Sequence, residues 1–186
     1  MNTFIFLRHG ETVKDPLLPA VEWKLTEDTV KAIADLAAEI EFSDITSIYS
    51  SHEHKAQKSA EPFAKQLSIP ITVWDGLEEV HRGEAYLTDE EFSLLKREKL
   101  EQRDSARDGG ETSNQALERF KKAIFEIDNR HNDQKILISS HGTILALYFA
   151  DLKQDYSEIF NYWKNLPFCA TGTVVNSKIV KDISFV

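Results

Sequence analysis

Two short segments of the sequence share one pattern, in which an apolar run ends in a histidine followed by a glycine. FIFLRHGET contains the triplet Arg8-His9-Gly10, and ILISSHGTI contains the pair His141-Gly142. If both runs are strands of a parallel sheet, both histidines lie at its carboxyl edge, where open α/β folds bind ligands. Each glycine permits a tight turn, and a helix that begins after Gly142 directs free N–H groups at the same place. The two turns therefore predict a site for an anion.

These histidines have two other interpretations. A single histidine at the end of a strand is usually a polar loop residue, but two such turns, one preceded by arginine, favour a shared site. A metal site is the second alternative, with His52, His54 and His81 as further candidate ligands. The chain has no His-Glu-x-x-His spacing and no paired cysteines, so we predict no metal and no cofactor.

Five segments resemble the signature of the histidine phosphatase superfamily, which has the phosphoglycerate-mutase-like fold, and together they span most of the chain. The segments are LRHGET at 7–12, YSSHEHKAQKSA at 49–60, LEEVHRG at 77–83, GGETSNQALERF at 109–120 and SSHGT at 139–143. The first triplet alone is a weak match. Five segments in the family's order make the resemblance specific.

The resemblance implies a phosphohistidine mechanism with His9 as the nucleophile. Neutral His9 attacks phosphorus through one ring nitrogen, while the other donates to a carbonyl group that fixes the tautomer. Arg8 holds two phosphate oxygens with its planar fork, and a protonated His141 adds a second cationic donor. Lys55 and Gly142 complete the expected substrate-binding residues.

The proton donor that the resemblance implies is Glu79, which completes a catalytic set with His9, His141 and Arg8. Glu79 protonates the leaving alkoxide and then activates the water that hydrolyses the phosphohistidine. This role requires a raised pKa, which we expect from burial and from the charge of the phosphate. Glu78 is an alternative on chemistry alone, but the register of LEEVHRG favours Glu79.

Several positions depart from the family pattern. The second cation of the pocket is normally arginine, and here it is Lys55, which supplies a point charge without a bidentate fork. A tryptophan–asparagine pair often follows the first turn, and here those positions are Lys14 and Asp15. A carboxylate beside a phosphate is unfavourable unless Lys14 or Lys55 offsets it. His52 and His54 are either extra donors or solvent-facing residues on the first turn of a helix.

The expected activity is that of a phosphatase, a phosphomonoester hydrolase acting on a small phosphorylated metabolite. Mutases of the family are typically longer, with a larger insertion around the acid loop, which favours hydrolysis over transfer. A phosphoglycerate-type mutase stays open as an alternative. So does a non-catalytic phospho-ligand binding protein on the same fold.

The elements that must position these residues alternate between strands and helices. Apolar runs predict strands at 3–7, 45–49, 70–74 and 135–140 and a closing hairpin at 171–176 and 178–185. Helices are predicted at 26–41, 51–67, 112–130, 143–150 and 156–164, with Thr26 and Ser51 as N-caps of the first two. This pattern predicts an α/β fold, a three-layer sandwich with a mostly parallel central sheet. We expect one domain over 1–186, with a small helical insertion at about 77–108.

Composition limits the partners and the compartment. A net charge of −9 argues against nucleic acid and against an anionic membrane surface, since both need a basic face. The single cysteine, Cys169, excludes an intramolecular disulfide and suits a reducing compartment. With no signal peptide or membrane span recognisable, we expect a cytoplasmic protein whose partner is its small substrate. The sequence does not predict an oligomeric state.

Overall fold

The computed structural model describes residues 1–15, 17–82, 87–106 and 109–183. Its strands are β1 (Thr3–Arg8), β2 (Ser47–Ser50), β3 (Ile71–Val73), β4 (Lys135–Ser140), β5 (Thr171–Val175) and β6 (Lys178–Lys181). Its α-helices are α1 (Glu27–Ala37), α2 (His54–Leu67), α3 (Asp89–Glu101), α4 (Ser113–Asp128), α5 (Gly142–Lys153) and α6 (Ile159–Lys164). Short 3-10 helices lie at Ala20–Glu22 and Ile40–Phe42. The end of the expected hairpin at 184–185 and parts of the expected insertion, at 83–86 and 107–108, lie outside the described residues.

All six strands belong to one sheet, in the order β3-β2-β4-β1-β5-β6. The pairs β1–β4, β2–β4 and β2–β3 are parallel, whereas β5 runs antiparallel to both β1 and β6. The prediction of a mostly parallel sheet is confirmed. Because Arg8 lies opposite Ser140 in the β1–β4 register, His9 and His141 leave adjacent strands at the same level.

Helices cover both faces of the sheet, which confirms the three-layer architecture. Phe4 and Phe6 of β1 join a buried cluster with residues of α4 and α5. Ile5 and Leu7 point to the other face and join a cluster with residues of α1 and α2. This alternation follows from the two-residue period of a strand that is buried on both faces.

The N-cap of α1 agrees with the prediction from the sequence, and that of α2 differs from it. Thr26 caps α1 as expected, and its side chain accepts a hydrogen bond from the amide of Thr29. Ser51 does not cap α2, because Glu53 is the N-cap residue and the Ser51 hydroxyl contacts His141 instead. That hydroxyl therefore belongs to the sheet edge rather than to the helix.

The expected insertion contains one helix, α3, which begins with a capping box between Thr88 and Glu91. Its buried positions are Lys96, Lys99 and Leu100, whereas Leu94 is exposed. The extent of the insertion and the single-domain organisation stay predictions. No helix of the described residues is both long and apolar enough to cross a bilayer.

Candidate active site

His9 follows β1 directly, and its ring is held in one tautomer. Nδ1 lies 2.7 Å from the carbonyl oxygen of Gly10. Since a carbonyl only accepts, Nδ1 carries the proton and Nε2 keeps its lone pair. Nε2 makes no hydrogen bond with any described residue. Burial, followed by the nearby charges of His141 and Lys55, holds the pKa of His9 well below its usual value, so the ring is neutral at neutral pH.

His141 lies beside His9, with ring centroids 5.1 Å apart, and is completely buried. Its Nε2 is 2.7 Å from Ser51 Oγ and 3.2 Å from Glu53 Oε1. Nδ1 has no hydrogen-bond partner in the described part of the chain. Burial lowers the pKa of His141 to about 4, although the charge of Glu53 opposes this shift. His141 is therefore neutral in the ligand-free protein, because desolvation of the imidazolium outweighs its anionic neighbours, and its protonation beside a bound phosphate stays a prediction.

Arg8 ends β1, and its guanidinium packs against the last residues before β5. Nη1 donates to the carbonyl of Leu166, and Cζ lies 4.2 Å from the centre of the Phe168 ring. Burial lowers the pKa of Arg8 to about 10, which leaves it charged at neutral pH. A Cβ on Gly142 would lie 2.9 Å from Arg8 Nε, so this glycine makes room for the guanidinium. The structure thus gives Gly142 a steric reason to be glycine.

Lys55 lies in the first turn of α2 and is buried. Its Nζ is 2.5 Å from Glu53 Oε2 and 3.2 Å from the carbonyl oxygen of Ala20. Lys55 therefore lies in the site as expected, but it is paired with a buried carboxylate. This partner, Glu53, is not predicted from the sequence and is itself only 9% exposed.

Glu79 lies against the amino end of α5 rather than in an apolar pocket. Its Oε2 accepts from the amide (3.0 Å) and hydroxyl (2.8 Å) of Thr143. Its Oε1 accepts from the amides of Val80 (2.8 Å) and Ile144 (3.1 Å). Burial raises the pKa of Glu79, but Lys96, His141 and these amides together hold it well below its usual value.

Two sequence expectations about this region were therefore wrong for the ligand-free protein. Glu79 was expected to have a raised pKa, and instead its carboxylate is held ionised. The free N–H groups after Gly142 were expected to face a bound anion, and instead they bind Glu79. The physical reason is the same in both cases, because a carboxylate at a helix amino end is stabilised in its charged form.

Lys96 of α3 is a second site residue that is not predicted from the sequence. Its side chain is 2% exposed, and Nζ lies 2.7 Å from Thr143 Oγ1 and 3.9 Å from Glu79 Oε2. The Thr143 hydroxyl therefore accepts from Lys96 and donates to Glu79. The detectable signal was a lysine four residues after Phe92, on the face of α3 that also carries Leu100.

The remaining departures from the family pattern lie at the surface. Lys14 pairs with Asp89 at the start of α3, and Asp15 accepts from the amide of Leu17 in a local turn. His52 and His54 are solvent-facing. His52 Nε2 contacts Asp75 at 2.5 Å.

One group of potential metal ligands occurs within the described ranges. Ligand atoms of His52, Asp75 and Glu78 all lie within 4.8 Å of one another. Asp75 and His52 are exposed, and Glu78 is already paired with Arg119. Of the three histidines considered as ligands from the sequence, His52 alone belongs to this group.

Residues 4–174 match the profile of the histidine phosphatase superfamily (branch 1). The chain belongs to this superfamily. A search of curated protein sequences finds no significant match. Among solved structures, Bacillus stearothermophilus YhfR superposes with a TM-score of 0.79 and 22% identity, over 97% of this chain and 95% of that chain.

Two phosphatases of this fold are also similar to the chain. The mycobacterial glucosyl-3-phosphoglycerate phosphatase has a TM-score of 0.75 and 18% identity, over 93% of this chain and 89% of that one. A phosphoserine phosphatase mutant from Entamoeba histolytica, in complex with phosphoserine, has a TM-score of 0.77 and 19% identity, over 97% and 95%. At these identities the likeness establishes the fold.

Proposed function

We propose that this superfamily member is a phosphomonoester hydrolase that forms a phosphohistidine at His9 Nε2. The observation that carries the proposal is the hydrogen bond from His9 Nδ1 to the Gly10 carbonyl, at 2.7 Å. It leaves Nε2 unprotonated and without a described partner, beside the charged Arg8 and the buried His141. A neutral, oriented imidazole is what attack on phosphorus requires.

The phosphate oxygens would be held by the positive groups around His9. Arg8 and Lys55 both carry charge close enough to His9 to lower its pKa. His141 becomes a further donor when it takes up a proton, since a bound dianion raises the pKa of a neighbouring imidazole. Charge on the transferred group is then stabilised by fixed donors in a partly buried site.

The proton balance follows from the ionised state of Glu79. The leaving alkoxide needs one proton, which arrives with the substrate monoanion or is taken up by Glu79 when the anion binds. His9 Nε2 then forms the P–N bond as the P–O bond breaks, and the proton passes to the leaving oxygen. In the second step Glu79 accepts a proton from water as the P–N bond breaks, which releases phosphate and restores neutral His9.

Hydrolysis of p-nitrophenyl phosphate in the presence of EDTA tests this function. The wild-type protein should turn the ester over, and His9→Ala should abolish the activity. His54→Ala, an exposed histidine on α2, is the matched control and should leave the rate unchanged. Equal activity of His9→Ala and wild type would exclude His9 as the nucleophile. Phosphoserine and glucosyl-3-phosphoglycerate, which the names of similar structures mention, belong in the substrate panel.

A second candidate is a phospho-ligand binding protein without turnover. The observation that favours it is the engagement of Glu79, whose two oxygens accept four hydrogen bonds from Val80, Thr143 and Ile144. Binding of phosphate or vanadate without hydrolysis of any ester in the panel would support this candidate over the first.

A further inference from the structure

Glu53 is a buried carboxylate that contacts three parts of the site. Its Oε2 lies 2.5 Å from Lys55 Nζ. Its Oε1 lies 3.2 Å from His141 Nε2 and accepts from the amide of Glu79 at 3.1 Å. These contacts join the start of α2, the end of β4 and the acid-bearing loop. None of the proposed proton transfers uses this carboxylate.

We propose that Glu53 is a positioning residue that fixes Lys55, the tautomer of His141 and the backbone of Glu79 as one unit. The inference rests on the proposed function of this site. The lysine ammonium is a point charge on a flexible side chain, whereas the planar guanidinium of arginine has a fixed arrangement of donors. Lys55 therefore needs a neighbouring group to hold its ammonium in place. The Glu53 carboxylate supplies that group in a pocket where both side chains are at most 10% exposed.

The same carboxylate selects the protonated nitrogen of His141. Glu53 Oε1 lies 3.2 Å from His141 Nε2 in an ion pair, so its negative charge favours the tautomer with the proton on that nitrogen. The Ser51 hydroxyl, 2.7 Å from Nε2, can accept or donate and so does not decide the tautomer. Nδ1, which is buried and unpartnered in the described chain, is then the atom that gains a proton when a phosphate binds.

A competing view is that Glu53 occupies a place that a phosphate oxygen needs. In that case its negative charge opposes anion binding, and removing it should strengthen the affinity for phosphate. The contact with the Glu79 amide argues against this view, because through it Glu53 holds the loop that carries Glu79 in addition to Lys55. The two views predict opposite changes in the affinity for phosphate.

The experiment measures binding of inorganic phosphate by calorimetry to wild type, Glu53→Gln, Lys55→Met and the double variant. Glu53→Gln should weaken binding by roughly 10-fold to 100-fold, as loss of an orienting partner commonly does. The double variant should bind no more weakly than Lys55→Met alone, since both changes remove one coupled unit. Glu53→Asp, which keeps the charge, should restore part of the affinity.

An exposed ion pair on the same helix provides the matched control. Lys58 and Glu61 of α2 also lie 2.5 Å apart, but their side chains are 44% and 51% exposed. Glu61→Gln should leave phosphate affinity unchanged.

The tautomer of His141 can be measured in the wild-type protein. Nitrogen-15 spectra of the histidine rings, assigned by comparison with His141→Gln, should show that wild-type His141 is protonated at Nε2. This measurement needs no substitution at Glu53.

Any of three results would overturn the inference: unaltered or tighter phosphate binding by Glu53→Gln, strictly additive losses in the double variant, or wild-type His141 protonated at Nδ1 alone. The outcome is separate from that of the proposed function. If the variants show the coupled loss of phosphate binding but the wild type hydrolyses no ester, the hydrolase function is refuted and the positioning role of Glu53 stands. If the wild type hydrolyses esters but Glu53→Gln binds phosphate as the wild type does, the hydrolase function stands and the positioning role is refuted.

Discussion

Glu79 and Thr143 are joined by two hydrogen bonds, because the carboxylate Oε2 accepts from both the amide (3.0 Å) and the hydroxyl (2.8 Å) of Thr143. The contact places the expected proton donor at the amino end of α5, one residue after Gly142. The contact also stabilises the ionised form of Glu79. The proton for the first step therefore arrives with the substrate monoanion, or Glu79 takes it up when the substrate binds.

The rate should have an acidic optimum. Glu79 is ionised in the free protein, so the substrate monoanion supplies the proton, and a phosphate ester loses that proton with a pKa near 6. Protonation of His9, whose pKa burial holds well below its usual value, limits the rate at lower pH. We therefore expect kcat/KM to peak below about pH 6 and to fall as the pH rises above that value. A kcat/KM that rises steadily to pH 8 would contradict this account.

Glu79→Gln should remove general acid catalysis. Loss of a positioned acid costs on the order of 10²–10⁴ in rate, and the loss should be greater for phosphoserine than for p-nitrophenyl phosphate, whose leaving group needs little protonation. The control is Glu78→Gln, which alters a neighbouring carboxylate paired with Arg119. If Glu78→Gln shows the larger, substrate-dependent loss, the proton donor has been assigned to the wrong residue.

Lys96→Met should move the pH profile. Lys96 is the nearby charge that does most to lower the pKa of Glu79, so its removal raises that pKa. Glu79 then stays protonated to a higher pH and can itself supply the proton for the leaving group. The falling limb of kcat/KM should shift upward in pH. Lys99→Met is the matched control, because Lys99 is equally buried on α3 but donates to the carbonyl oxygens of His81 and Glu111. Identical profiles for the two variants would refute a specific coupling of Lys96 to Glu79.

The stability of the fold should fall in acid. The pKa of His141 drops from about 6.5 in the unfolded chain to about 4 in the fold, so the unfolded state binds more protons between these values. The stabilisation is fully present above about pH 6.5 and is lost as the pH falls toward 4, by about 3 kcal/mol for this residue. Urea unfolding at pH 7 and pH 5 measures the change. His141→Gln should show a weaker dependence, and an equal dependence would refute the assignment.

The sequence was sufficient to predict that the two histidines lie close together. Each lies at the end of an apolar run, and runs of this kind form adjacent buried strands, so the positions of His9 and His141 follow from local pattern. The start of α4 is equally local, since Thr112 and Gln115 form a capping box. In the capping box the interaction that determines the structure lies within a few residues, whereas the pairing of β1 with β4 is long-range.

The charge states could not be predicted in the same way. Glu79 is ionised because Thr143 and Lys96, far from it in sequence, converge on its carboxylate. Lys96 and Glu53 both occur in polar stretches that look solvated, and only the packing of α3 and α2 against the sheet edge buries them. A pKa depends on such tertiary neighbours, which no local pattern contains.

Trapping the covalent intermediate tests the central claim most directly. The protein is mixed with substrate, quenched under alkaline conditions, digested and analysed by mass spectrometry. The account predicts phosphate on His9, labile in acid, bonded to Nε2 and absent from His9→Ala. Turnover by the wild type with no phosphate on His9, or with the phosphate on another residue, would contradict it.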